Sequence, residues 1–263
     1  MKNFVGIGGG EISKWSFKSK DDNQDLYETK EIDEYIVNLS KKETPKVLFI
    51  GIASKENDYY FKAIKRIYEA LGCMVENLEI LSFLDGIKED MNVENRIAQF
   101  ETRMGKIREE ILSSDILYIG GGKTKFLLEI LKVTKLDKII LEAFEKEIII
   151  AGFSAGCYSF FDYNYELLEG LKVIKAISCV HYNEKSEEKK EEFYEAIRVK
   201  KLPGIALDNG TAIHYFDNKF KIIKSNKKAK AVVIKFENNE FVEQELKENI
   251  EYDINVDRKT KIN

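Results

Sequence analysis

Apolar residues along this chain come in two rhythms. Short unbroken apolar runs alternate with stretches in which apolar positions recur every three or four residues. FVGIG (4–8), KVLFIGIAS (46–54), DILYIGGG (115–122) and IIIAGFS (148–154) are runs of the first kind. Such runs suit strands buried on both faces of a parallel sheet, where no polar alternation is needed. EIDEYIVNLS (31–40) carries Ile32, Tyr35, Ile36 and Leu39 at helical spacing, and the amphipathic YYFKAIKRIYEALG (59–72) stops at a glycine. VENRIAQFETRMGKIREEILSS (93–114) puts Ile97, Phe100, Met104, Ile107 and Ile111 on one stripe, the mark of a helix packed on a core. TKFLLEILKVT (124–134) and KLDKIILEAFEKE (135–147) predict two more helices, and VENLEIL (75–81) another strand. Strand and helix alternate with short connections. That order predicts an α/β fold with a doubly wound, mostly parallel sheet flanked by helices.

The last third changes rhythm. KVIKAIS (172–178) reads as a strand and EEKKEEFYEAIRVKK (187–201) as a helix. GIALDNGTAIHYFDNKFKIIKS (204–225) reads as strand, turn, strand, and AKAVVIKFENNEFVEQEL (229–246) as a C-terminal β-hairpin turning at Glu237-Asn238-Asn239. No repeat and no domain boundary interrupts the chain, so residues 1–263 are expected to form a single α/β domain. WSFKSKDDNQDLYE (15–28) is left as either a loop over a site or an interface.

Charge narrows the function classes. Lysine and glutamate are interspersed and the net charge is −4, which gives no field of the kind nucleic acid demands. The basic run KSNKKAKA (224–231) reads as a solvated hairpin turn. Three cysteines, Cys73, Cys157 and Cys179, sit unpaired in apolar stretches and suit a reducing compartment. With two histidines, His181 and His214, and no CxxC, a His-rich metal site is not expected, nor is any cofactor. The apolar run at the N-terminus is too short for a signal peptide, and no run approaches the ~18 residues of a membrane span. A cytoplasmic protein without membrane or nucleic-acid partners is the expectation.

Two glycine-rich stretches carry candidate chemistry. YIGGGKTK (118–125) looks like a phosphate loop, but such a loop needs a glycine where this chain has Leu117. AGFSAG (151–156) contains G-x-S-x-G after an apolar strand and before a predicted helix, the setting of a nucleophile elbow at Ser154. The turn would lift the serine hydroxyl out at the carboxyl ends of the strands, where open α/β sheets bind ligands. A serine N-cap on a glycine-rich turn is the plain alternative. A base is then needed. His181 follows the apolar VIKAISCV and is placed at a strand end, whereas His214 lies inside AIHYF on a sheet face. Position favours His181. An oxyanion hole needs two backbone N–H donors, and Ala155 with Gly121 and Gly122 are the candidates, which explains the triple glycine without a nucleotide.

Taken together, YIGGGKTKFLL, AGFSAG, CVHY and GIALDNGTA resemble the dipeptidase E family of serine peptidases, which includes cyanophycinases. The resemblance covers about residues 46–216. It implies a class I glutamine-amidotransferase-like fold and metal-independent hydrolysis beside an aspartyl residue, with a small peptide as substrate. By position it makes Ser154 the nucleophile, His181 the general base, and Gly121, Gly122 and Ala155 the oxyanion hole. Two departures stand out. The family's GGGNT is GGGKT here, with Lys123 in place of asparagine. Where many relatives carry a glutamate after the histidine, this chain has Asn209, with Asp208 beside it. Asp208 is taken as the third catalytic member. Asn209 is an alternative, as are Asp162, Glu166 and Glu169, which lie between the serine and the histidine. Aspartyl specificity requires a cation, for which Arg198 and Lys123 are the candidates.

Overall fold

The computed structural model describes residues 1–12, 27–86 and 92–253. Its centre is a mixed eight-stranded sheet. In chain order its strands are β1 (Asn3–Ile7), β2 (Lys46–Ile50), β3 (Met74–Leu78), β4 (Ile116–Ile119), β5 (Ile149–Phe153), β9 (Thr211–Phe216), β10 (Lys219–Lys224) and β13 (Tyr252–Asp253). Across the sheet the order is β13-β10-β9-β1-β5-β4-β2-β3. The five strands from β1 to β3 are parallel, and β9, β10 and β13 extend the other edge in antiparallel fashion.

The unbroken apolar runs became the interior of this sheet because both faces are covered. One face presents Val5, Ile7, Val47, Phe49, Tyr118 and Ala151 to helices α1 (Lys30–Leu39) and α2 (Asp58–Ala70). The other presents Phe4, Leu48, Ile50, Leu117, Ile119 and Ile150 to α4 (Val93–Leu112), α5 (Thr124–Thr134) and α6 (Leu136–Glu145). Alternate side chains of one strand therefore enter two different cores. α2 starts where the Asn57 side chain accepts the Tyr60 N–H, and it stops just before Gly72. A short α3 (Leu81–Asp85) was not foreseen. No described helix is long and apolar enough to cross a membrane.

The chain is mixed α/β as expected, yet the last third does more than extend the main sheet. β6 (Phe161–Asn164), β7 (Ile174–Val180), β8 (Gly204–Leu207), β11 (Ala231–Glu237) and β12 (Glu240–Glu245) form a second sheet in the order β12-β11-β8-β7-β6. Helix α8 (Glu187–Lys200) packs on it through Phe193 and Ile197. The predicted hairpin is present, with Asn238 and Asn239 both at positive φ as a tight two-residue turn demands, but it belongs to this second sheet. KSNKKAKA is accordingly not a hairpin turn. It carries the chain from β10 in one sheet to β11 in the other. The two sheets share one apolar cluster, in which Phe160 stacks on Phe4 with ring centroids 4.1 Å apart. The stretch read as a loop over a site or an interface, 15–28, lies outside the described residues up to position 26.

Candidate active site

The site forms where β1, β4 and β5 end side by side. Ser154 follows β5 directly and has φ 51° and ψ −104°, a conformation that non-glycine residues rarely hold. Its backbone N–H donates to the Ile7 carbonyl at 3.0 Å. The flanking glycines are needed for close approach. A Cβ on Gly156 would come within 2.1 Å of the Ile119 carbonyl oxygen, and one on Gly152 within 2.5 Å of that of Gly156. Helix α7 (Ala155–Tyr158), the helix expected after the serine, is a single turn, so little dipole gathers there.

His181 follows β7 and is also strained, in the left-handed region at φ 53°. Its N–H donates to the Gly8 carbonyl at 2.8 Å. Its Nε2 lies 2.9 Å from Ser154 Oγ and its Nδ1 lies 2.7 Å from Asn209 Oδ1. The amide oxygen only accepts, so Nδ1 carries the ring hydrogen and Nε2 is left to accept from the serine hydroxyl. Burial holds the imidazole below its ordinary value of 6.5, the Asn209 contact working in the opposite sense. The ring is thus neutral near pH 7, as a base must be.

Asp208 does not take the position expected of it. Its carboxylate accepts the Lys230 N–H at 2.8 Å, on the side of β11. Asn209, one residue on, reaches His181. The Asn209 Nδ2 donates to Glu184 Oε1 at 2.6 Å, and its backbone N–H donates to Asn183 Oδ1 at 2.9 Å. Of the other acids, Glu169 is paired with Lys172, and Glu166 accepts from Asn164. Asp162 lies on β6, its carboxyl raised by burial.

Gly121 borders the serine, and Gly122 lines the same cavity. A Cβ on Gly121 would sit 3.1 Å from that of Ser154. The Gly121 N–H, however, donates to the Tyr60 hydroxyl at 3.0 Å. Gly122 has no such partner among the described residues, and the Ala155 N–H heads its helix, where no intrahelical acceptor exists. A cavity of about 350 Å³ opens beside Ser154, lined by Gly10, Ile12, Tyr59, Tyr60, Gly122 and Phe153 among others. Arg198 is elsewhere. Its guanidinium is held by the Glu195 carboxylate on α8, in a separate groove with Tyr194 and Phe241. Lys123 is exposed at the start of α5 and is not among the residues lining the cavity.

Sequence reasoning missed three contributors. Gly9, at φ 137°, lies flat against the histidine; a Cβ there would be 2.3 Å from both His181 Cε1 and Asn209 Oδ1. The triple glycine after β1 was the available signal. Glu184, three residues past the histidine, was readable as a nearby acid. Tyr60 had no signal, since its helical spacing looks like plain packing.

The profile described as "Peptidase family S51" matches residues 18–92 and 88–223. The chain is 27% identical over 252 residues to "Uncharacterized peptidase YgaJ" of Bacillus subtilis (strain 168), covering 92% of this chain and 96% of that protein. It is 34% identical over 112 residues to "Uncharacterized peptidase Lmo0363" of Listeria monocytogenes, 42% of this chain and 45% of the other. Among solved structures, a peptidase from an acI-B1 Actinobacterium superposes with a TM-score of 0.67 at 17% identity, over 96% of this chain and 97% of that one. A putative peptidase E protein from Listeria monocytogenes EGD-e gives 0.58 at 21% identity, over 85% and 98%. These two likenesses bear on the fold.

Proposed function

The chain belongs to peptidase family S51, and from that premise we propose that it is a serine peptidase of short aspartyl peptides, with Ser154 as nucleophile and His181 as general base. The observation that carries this reading is the 2.9 Å contact between Ser154 Oγ and a His181 Nε2 left free to accept. In the proposed reaction Nε2 takes the hydroxyl proton as Oγ attacks the scissile carbonyl. The same proton then goes to the departing amine, and water repeats the sequence on the acyl-enzyme. Asn209 keeps the ring in register. The oxyanion would rest on the N–H groups of Ala155 and Gly122, each such donor being worth roughly a hundredfold or more. Gly121 serves as the small neighbour that lets the serine approach.

The cavity supports a short substrate, since ~350 Å³ is at the small end of ligand pockets. Aspartyl preference rests on the resemblance to dipeptidase E, with Lys123 beside Gly122 as the cation; Arg198, held by Glu195, is set aside. One observation favours a second reading, an amide hydrolase for apolar peptides: among the described residues, those lining the cavity include aromatic rings and no lysine or arginine. Hydrolysis of Asp-Leu, Glu-Leu, Ala-Leu and β-Asp-Arg by wild type and Ser154→Ala separates these. Cleavage of Asp-Leu alone, lost in the variant, supports the first. Preference for Ala-Leu supports the second, and no cleavage together with no fluorophosphonate labelling of Ser154 removes both.

A further inference from the structure

Asn209 carries no charge, yet it stands where a base's acid partner stands. Its amide is not free to choose its orientation. The Glu184 carboxylate takes the Nδ2 hydrogen at 2.6 Å, and its other oxygen lies 3.8 Å from His181 Nδ1. Glu184 ends a one-turn 3-10 helix, Tyr182–Glu184, that starts directly after the histidine. Asn183 of that same turn accepts the backbone N–H of Asn209. One short turn therefore grips Asn209 at two points.

We propose that Glu184 is the displaced acid of this site, a positioning residue that sets the Asn209 amide and, through it, the tautomer of His181. The inference rests on the reading of Ser154 and His181 as the working pair. An ionised carboxylate only accepts, so it holds the NH₂ end of the amide. The oxygen end then faces Nδ1, the ring hydrogen stays on Nδ1, and Nε2 can take the serine proton. A flipped amide would put a donor against Nδ1 and drive the ring hydrogen to Nε2. Ser154 would then have no acceptor. Glu184 is 62% exposed, so water screens its charge, and orientation outweighs direct attraction to the imidazolium. A charge-assisted hydrogen bond of this kind biases the two amide orientations by roughly tenfold to a hundredfold.

The test is an exchange of charge. Glu184→Gln keeps the shape and is expected to lower kcat by about tenfold with KM within about twofold. Asn209→Asp alone sets two carboxylates against each other and is also expected to be slow. The double variant Glu184→Gln/Asn209→Asp moves the acid one residue inward and is expected to return to within about threefold of wild type. Glu184→Gln at wild-type rate, or a double variant no faster than either single one, would overturn the proposal. A packing role for Glu184 would not give recovery in the double variant. A second readout needs no turnover. Ring-nitrogen shifts of His181 by NMR should report hydrogen on Nδ1 in wild type and a mixture in Glu184→Gln; an unchanged spectrum also overturns the proposal. If wild type neither cleaves peptides nor labels with a fluorophosphonate, the peptidase reading fails, and the NMR result still decides the role of Glu184.

Discussion

The two histidines of this chain are bonded through both ring nitrogens, yet they sit in opposite tautomers. His214 lies inside β9, 3% exposed, with the Tyr35 hydroxyl at 2.7 Å from Nδ1 and Asn3 Oδ1 at 3.0 Å from Nε2. Asn3 is itself oriented by donating its Nδ2 to the Met1 carbonyl, so its oxygen faces the ring and Nε2 carries the hydrogen. At His181 an asparagine oxygen faces Nδ1 instead, and the bare nitrogen points at a serine. In each case an asparagine sets the tautomer and a third group sets the asparagine. What separates them is location. His181 leaves its strand in a strained turn and bonds Ser154, which lines a cavity, while His214 is buried inside β9 with both ring nitrogens taken by Tyr35 and Asn3. A histidine's chemistry here follows from which nitrogen is left over and whether anything can reach it.

The largest expected difference is in turnover. His181→Ala should lower kcat by roughly a thousandfold or more, and Ser154→Ala by a similar factor. His214→Gln should leave kcat within about twofold, because the His214 ring bonds Tyr35 and Asn3 and not Ser154. Steady-state kinetics on the three variants checks this. Equal losses at the two histidines would break the comparison.

Gly9→Ala comes next. The added methyl would press on the His181 ring and the Asn209 oxygen, at a φ that alanine avoids. A displacement of about 1 Å between base and nucleophile costs on the order of a hundredfold in rate. The expected result is a hundredfold loss in kcat, with little loss of folded structure by circular dichroism. No loss in kcat would mean that the end of β1 does not set the alignment proposed for Ser154 and His181.

This position also marks how far the sequence could be read. Ser154, His181 and the parallel strands were legible because each leaves a local trace: G-x-S-x-G after an apolar run, a histidine at a strand end, apolar runs without alternation. The end of β1 was not, although it touches everything. The Ile7 carbonyl holds Ser154, that of Gly8 holds His181, and that of Gly9 holds Gly210 beside Asn209. These bonds join segments far apart in sequence, and backbone carbonyls leave no residue signature. The choice between Asp208 and Asn209 failed for a related reason. Which of two neighbours points at the ring depends on the β8-to-β9 turn, and the Lys230 N–H, just before β11 of the second sheet, claims Asp208. That sheet was itself illegible, since strand patterns do not say which sheet a strand joins.

Acid sharpens the comparison further. Burial and the Lys221 charge hold His214 down at about 4, against 6.5 when free. Its folded value is the lower one, so folding favours the neutral ring. The stability it contributes is complete above about pH 6.5 and is lost as pH falls towards 4, in all roughly 3 kcal/mol. Chemical denaturation across that window should show the loss, and His214→Gln should flatten it. The rate should depend on the other ring. With His181 held below 6.5 by burial, and with Glu184 and Lys185 acting on it in opposite directions, kcat/KM should rise with pH through a value below 6.5 and stay level near neutrality. His214→Gln should leave that rate profile in place. A rate profile that moves with His214 would mean that the two rings titrate as one system.

The smallest expected effect tests that coupling directly. Tyr35→Phe removes the hydroxyl from His214 Nδ1 and leaves a buried acceptor bare, at a cost of about 1 kcal/mol. For a chain of this size that is a fall of roughly 2–4 °C in Tm. Turnover should stay within about twofold. There is a physical route by which it could do otherwise. β1 carries Asn3 at one end and runs at the other into the Gly8 and Gly9 carbonyls, and β9 carries His214 just after the turn that holds Asn209. The two histidines are thus clamped by the same pair of strands, in register from Asn3 opposite Phe216 to Ile7 opposite Ala212. A paired sheet is stiff, and a lost side-chain bond at one end should be absorbed locally. If Tyr35→Phe slows turnover as much as Gly9→Ala does, β1 moves as a rigid lever and the enclosed histidine is part of the site's alignment.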